Sequence, residues 1–379
     1  MIYFDAAATT MEKPPGVLRA VHEAMKTMAS PGRGGHRGTR LAEETVFRCR
    51  EEAAELFGVD MPEKVVFTFN ATHGLNIAIR SLVKPGNRVV ISGYEHNAVT
   101  RPLHAIEGIE KVVIDTPLFQ PELSAEEFCT AVRQGADVVI CNHVSNVFGY
   151  VQPIEKIAEV CRETGTPLIV DASQSAGVLP VRMDELGAAF IAMPGHKGLY
   201  GPQGTGLLLC GEYPAYPVLA GGTGNLSRQQ EMPESLPERL EAGTHNVPGI
   251  TGLLCGIRFV KEKGLSNIYA HHRQLISHLA WQLRRLPEVR VYAAEDAGKQ
   301  GGVISFAVNN CDCQELGEWL GQRGFAVRAG LHCAPLAHKT AGTEKTGTVR
   351  LSVSTFNDLQ QTEKLVRAIG NSIGKMAKF

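Results

Sequence analysis

Between Val65 and Cys210 seven short apolar runs alternate with amphipathic stretches of helical period. The runs are "VVFT" at 65, "RVVIS" at 88, "KVVID" at 111, "DVVICNHV" at 137, "PLIVDAS" at 167, "AFIAM" at 189 and "GTGLLLC" at 204. Short apolar runs rich in β-branched residues read as strands, and the amphipathic stretches between them as helices. The pattern predicts repeated βα units around a mostly parallel sheet. Helices are expected over 72–83, 124–133 and 154–164, the second opened by a capping box of Ser124 and Glu127. From about Pro248 the rhythm changes to two long helices followed by "VRVYA", "VISFAV", "FAVRAG" and "TVRLSVS", which predicts a smaller α+β unit. At 379 residues the chain exceeds what one hydrophobic core usually supports, so two domains are expected.

Charge narrows the partner. Lys+Arg number 38 against 39 Asp+Glu, with no basic block, which argues against nucleic acid and membrane surfaces and for a small-molecule ligand. The amino terminus "MIYFDAAATT" lacks a charged region followed by an apolar stretch, and no apolar run approaches the roughly 18 residues of a membrane span. A soluble, cytoplasmic protein is expected. Nine scattered cysteines without a CxxC pair argue against a disulfide framework and a zinc site. Cys311 and Cys313 form a CxC that reads as a strand-to-helix turn, and no metal is expected.

In an open parallel sheet the ligand lies outside the carboxyl ends of the strands, so the residues that follow each run carry the function. They are polar. Thr72 follows the first run at a helix start, His96 the second, Asn146 the fourth, and Asp171, Ser173 and Gln174 the fifth. Lys197 follows the sixth, between His196 and a run of glycines. A helix start to hold phosphate, an imidazole, a carboxylate and a lysine form the set that pyridoxal 5′-phosphate (PLP) needs. Each residue also has a bland reading: Lys197 as a solvated surface group, Asp171 as a turn residue, Thr72 as a cap, His96 as a satisfied polar group. The combination carries the weight.

The motifs "FDAAATT", "RGGHRG", "TFNATHGLN", "YEHNAV", "HVSNVFG", "VDASQSAG", "PGHKGLYGPQGTG", "EAGTHN" and "RAGLHCAP", in that order, resemble the cysteine desulfurase and selenocysteine lyase branch of the class V aminotransferases. The short segment around Cys333 resembles the group II desulfurases. The resemblance implies PLP fold type I: a mostly parallel seven-stranded sheet flanked by helices, with a smaller α+β domain. It implies a large cofactor domain over 13–250, a small domain from 1–12 and 251–379, and a homodimer with sites at the subunit interface.

By the same resemblance Lys197 is the Schiff-base lysine, Asp171 the partner of the pyridinium nitrogen and Gln174 the donor to the cofactor's phenolic oxygen. His96 is the stacking imidazole. Thr72 and His196 are phosphate ligands with Ala71 at the same seat, and Thr244 reaches the phosphate of the opposite subunit. Asn146, Arg328 and Arg350 fall to the substrate; Arg350 suits a carboxylate because a guanidinium pairs it at two points, its alternative being a strand-end arginine on the solvent face. Cys333 is the nucleophile that takes sulfur from L-cysteine as a persulfide, releasing L-alanine, with His332 or His96 assisting its deprotonation. Pro194 and Ala71 stand where relatives carry hydroxyls, and His73 where an acidic residue is frequent, so backbone N–H groups are left to hold the phosphate. Open alternatives are a selenocysteine lyase acting on L-selenocysteine, another PLP-dependent β-lyase or aminotransferase, and a non-catalytic sulfur-carrier scaffold. A protein or a small thiol would accept the sulfur.

Overall fold

The computed structural model describes residues 1–376 apart from Arg33 and Asn225, so Arg33 of the "RGGHRG" motif lies outside the described residues. Among the described residues eight strands precede Val247: β1 (Ile2–Tyr3), β2 (Val65–Thr68), β3 (Arg88–Ser92), β4 (Glu110–Ile114), β5 (Val138–Asn142), β6 (Leu168–Asp171), β7 (Phe190–Pro194) and β8 (Gly206–Cys210). β2 to β8 form a seven-stranded sheet in the order β2-β8-β7-β6-β5-β3-β4. β3, β4, β5, β6 and β7 pair in parallel, and β8 is antiparallel to both neighbours. β2 therefore runs with the parallel set.

Every residue of β5, β6 and β7 is buried, because two apolar clusters sandwich the sheet. This double cover is why those strands are continuous apolar runs. The order reverses between β3 and β5, since the chain leaves β3 toward the β4 edge and leaves β5 toward β6. The carboxyl ends on either side of that reversal form the crevice in which a doubly wound sheet holds its ligand.

The second unit contains β9 (Val289–Tyr292), β10 (Val303–Val308), β11 (Phe325–Ala326), β12 (Arg328–Gly330) and β13 (Thr348–Ser352). An antiparallel sheet of order β12-β13-β10-β9 packs against the helices Leu265–Leu283 and Leu359–Met376, while β11 pairs in parallel with β1. Two local expectations need correction. "FAVRAG" is not one strand: its first part joins β1 and its last part joins β13, with Val327 between. The helix expected at Ser124 begins at Pro121; Ser124 is buried in its first turn and donates to Gln152 Oε1 at 3.1 Å, so its hydroxyl is spent on tertiary structure. Cys311 lies in the turn after β10 and Cys313 opens the helix Cys313–Gly321, so the CxC spans a strand-to-helix turn.

A buried ion pair fixes the segment that holds Thr244. Arg50 donates to both oxygens of Glu241 at 2.7 and 2.5 Å, Phe67 N–H donates to Oε1 at 2.6 Å, and His245 Nε2 lies 2.5 Å from Oε2. Burial alone would raise the Glu241 carboxyl, but Arg50 and His245 hold it below its ordinary value. Removing one partner strands a buried charge, so Glu241→Ala is expected to lower unfolding free energy by about 3–5 kcal/mol in denaturant titration. An apolar pair, Arg50→Met with Glu241→Leu, should recover much of that loss; a Glu241→Ala variant of unchanged midpoint would show the pair to be idle.

Candidate active site

One open cavity of about 520 Å³ lies at the carboxyl ends of β2, β3, β5, β6 and β7. Ten of the residues named from sequence line it: Ala71, Thr72, His96, Asn146, Asp171, Ser173, Gln174, Pro194, His196 and Lys197. They come from different strand ends, which is why no short stretch of sequence contains the site.

Lys197 sits in the turn after β7, beside Gly198. A Cβ at Gly198 would collide with the Ala176 carbonyl, so only glycine lets this turn pack against the loop that follows Asp171. Burial lowers the Lys197 amine to about 8; Arg350 and Arg328 push it the same way, while Asp171 and Asp5 oppose. Asp171 is buried and its Oδ1 accepts the Ser173 N–H at 2.9 Å, which fixes the plane of the carboxylate. Gln174 Nε2 donates to the Ala7 carbonyl at 3.0 Å.

His96 caps the helix Asn97–His104, its Nδ1 accepting the Ala98 N–H at 3.0 Å. A neutral ring so held carries its proton on Nε2. Burial lowers its pKa, Asp171 opposes, and Lys197 and two arginines add to the lowering. His196 Nδ1 lies 3.0 Å from Thr9 Oγ1, and burial takes that ring down to about 4. The helix Ala71–Leu82 begins at the cavity wall. Asn70 Oδ1 takes the His73 N–H, so the amides of Ala71 and Thr72 remain without intrahelical acceptors. His73 turns away and stacks on Phe69, ring centroids 4.7 Å apart.

Asn146 links this cavity to the second unit. Its carbonyl accepts Arg350 Nη1 at 2.9 Å, its Nδ2 donates to the His332 carbonyl at 2.8 Å, and its buried Oδ1 has no partner. Arg350 is 2 % exposed, which removes the solvent-face alternative. Its Nη2 pairs with Asp5 Oδ1 at 2.7 Å and its Nε is unpaired. Arg328 stands opposite Arg350 in the β12–β13 register and is exposed. Cys333 is exposed, and its carbonyl accepts the Asn97 N–H at 2.8 Å, beside His96. The turn bearing the thiol is thus tied to Asn146 of the cavity and to Asn97, which lies between the lining residues His96 and Ala98.

His332, which sequence offered as a base for the thiol, points inward. Its Nε2 lies 3.3 Å from the Arg328 carbonyl and its Nδ1 3.3 Å from His338 Nε2, and burial takes it down to about 2. Thr244 does not line the Lys197 cavity; it is exposed at the edge of a neighbouring pocket with Phe69, His73 and His245. Sequence reasoning missed Asp5, although it lies in the quoted "FDAAATT", because its partner is 345 positions away. It also missed Glu95, fully buried beside His96, whose Oε1 accepts the Asn142 N–H at 2.7 Å while Oε2 has no partner. Burial and the nearby Asp171 push that carboxyl well above its ordinary range. Among the described residues no cluster of His, Cys, Asp and Glu could hold a metal, and no helix is long and apolar enough to cross a membrane.

Comparison with known proteins agrees with this geometry. The family model described as aminotransferase class-V matches residues 2–365. A probable cysteine desulfurase of Methanothermobacter thermautotrophicus is 31% identical, over 99% of this chain and 94% of that protein. One of Pyrococcus abyssi is 30% identical, over 96% and 92%. The chain spans only 55% of the length of a third such relative, from Mycolicibacterium paratuberculosis, at 29% identity. The apo structure of the cysteine desulfurase of Thermococcus onnurineus superposes with a TM-score of 0.91 at 30% identity, covering 99% of this chain and 95% of that one. With a family match over residues 2–365 and relatives at this identity, the chain belongs to the class V aminotransferases.

Proposed function

We propose that this chain is a PLP-dependent cysteine desulfurase. The observation that carries the reading is the joining, through Asn146, of a cavity holding the half-buried Lys197 amine to the turn presenting Cys333. The cavity suits the cofactor chemically. Helix amides at Ala71 and Thr72 offer a seat for phosphate, and Ser173 brings a hydroxyl to a wall where Pro194 has none. Asp171 offers a fixed carboxylate, and His96 presents an imidazole.

When bound, PLP supplies an aldehyde for the substrate amine and a ring that holds the electron pair released at Cα. Lys197 would hold the cofactor through its amine and take the Cα proton; with its pKa lowered to about 8 it is a competent base near neutral pH. Asn146 Oδ1 and Arg350 Nε, both buried without partners, orient the substrate. The Cys333 thiolate attacks the substrate sulfur. A sulfur–sulfur bond forms as the carbon–sulfur bond breaks, the electron pair returns to the carbon skeleton, and protonation releases alanine. His96 Nε2–H, the proton-bearing nitrogen, serves as a donor at this centre.

The Arg350 role has its own check. Arg350→Ala is expected to weaken L-cysteine use by about 2–4 kcal/mol of transition-state binding, seen in kcat/KM, with cofactor absorbance unchanged. Normal kcat/KM in that variant would limit Arg350 to its Asp5 pairing.

The apolar cluster that joins Phe4 to the second sheet and its helices is separate from the two that cover the main sheet, which supports a large domain over 13–250 and a small domain of 1–12 and 251–379, with Leu253, Leu254 and Ile257 still packing in the large domain's cluster. Exposed Thr244, beside the 53 % exposed Phe69, supports a homodimer in which Thr244 reaches the partner's phosphate seat. The whole reading is tested by incubating the purified protein with L-cysteine and a reductant. Alanine and sulfide in equal amounts, from a yellow protein, are expected; a colourless protein that yields neither after supplementation with PLP would end it.

A further inference from the structure

The Cys333 turn is held in an unfavourable conformation. His332 and Cys333 have φ of 51° and 55°, a left-handed region that side chains with a Cβ avoid, and here two consecutive residues adopt it. Such geometry persists only where surrounding contacts over-determine it. The Asn146 and Asn97 bonds hold the carbonyls of the turn; what holds its side-chain face is a chain of buried polar groups.

That chain runs from the Arg328 carbonyl to His332 Nε2 (3.3 Å), from His332 Nδ1 to His338 Nε2 (3.3 Å), and from His338 Nδ1 to Thr343 Oγ1 (2.7 Å). The two imidazole planes lie within 14° of each other with centroids 5.6 Å apart, so the rings meet edge to edge across the nitrogen contact. His332, His338 and Thr343 are 5 %, 0 % and 1 % exposed, which excludes competing water. The direction of every bond follows from the first. A carbonyl only accepts, so His332 Nε2 bears the proton and its Nδ1 accepts. His338 must then donate from Nε2, which leaves its Nδ1 to accept from the Thr343 hydroxyl. Burial keeps both rings neutral, as this scheme requires.

We propose that His338 and Thr343 are positioning residues that hold the Cys333 turn in its left-handed conformation through this one-directional chain. The proposal deepens the desulfurase reading and rests on it for the role of the thiol; neither residue touches the substrate.

The test begins with the wild-type holoenzyme labelled with ¹⁵N-histidine. At pH 7 both rings should give the neutral Nε2–H signature. Either ring appearing as the Nδ1–H tautomer or as imidazolium would overturn the chain. Thr343→Val keeps the shape but removes the donor, whereas Thr343→Ser keeps the donor. The valine variant should show His338 in mixed tautomers and a kcat for L-cysteine reduced about tenfold, the size of one buried hydrogen bond, with KM nearly unchanged. Serine should restore both. Equal behaviour of the two variants, or a valine variant with wild-type kcat and tautomers, would make the cluster mere packing. If the valine variant does not fold, Thr343→Ala, which also removes the donor, is read against Thr343→Ser by the same kcat and tautomer measurements. If the wild type makes no alanine, the desulfurase reading fails by itself, while the tautomer measurements still judge the chain.

Discussion

Lys197→Ala is expected to abolish conversion of L-cysteine to alanine, by about a thousandfold or more, while circular dichroism and melting temperature stay near wild type. The size of the effect follows from the doubling of roles on one nitrogen. On the proposed reading the amine that would anchor the cofactor would also be the base for Cα, and the described residues of the cavity offer no second basic group to take over. Burial lowers His196 to about 4, and His96 has its Nδ1 occupied by the Ala98 N–H, so neither imidazole can replace it. Folding should survive because truncating a partly desolvated lysine relieves a burial cost rather than breaking an ion pair. Alanine formation that persists in Lys197→Ala would sink the cofactor chemistry altogether.

The same burial has a pH signature in the cofactor-free protein. The Lys197 pKa is depressed to about 8, so its neutral, nucleophilic form builds up as pH rises through 8, not through the ordinary lysine range. Modification of Lys197 by a small acylating reagent, located by mass spectrometry, should rise to a plateau just above that pH. A rate still climbing past pH 10 would mean an amine in free contact with water.

The inner strands β5, β6 and β7 were legible in the sequence because both of their faces are buried, and a doubly covered strand leaves no polar alternation to confuse it with anything else. The cavity lining was legible for a related reason. Once the sheet is parallel, its strand ends must converge, and the polar residues after each run meet there. What escaped were relations between distant positions. The Asp5–Arg350 pair depends on a bridge between the amino terminus and β13 that no local pattern encodes. The inward course of the His332 ring depends on left-handed backbone at two residues that carry no glycine or asparagine to announce it. Ser124 looked like a cap because capping boxes are recognised by type and spacing alone, and its hydroxyl had a tertiary partner in Gln152 instead.

Cys333→Ala should separate chemistry from packing at the thiol. The variant is expected to bind the cofactor and to show the wild-type absorbance change on adding L-cysteine, since neither event uses a second thiol. It should then lose alanine formation from L-cysteine by at least about a hundredfold, or about 2.7 kcal/mol of barrier. The exposure of Cys333 makes a folding defect a poor account of such a loss, because no buried cavity is created. Selenocysteine sharpens the comparison. Its carbon–selenium bond is weaker and selenium leaves more readily, so its release depends far less on attack by residue 333. The variant should therefore retain much more of its activity on selenocysteine than on cysteine. A thiol that merely fills the turn predicts equal, modest losses on both substrates through loosening of the loop. Near wild-type alanine production from L-cysteine in Cys333→Ala would remove the persulfide step, and the left-handed turn held by Asn97 and Asn146 would then need another purpose.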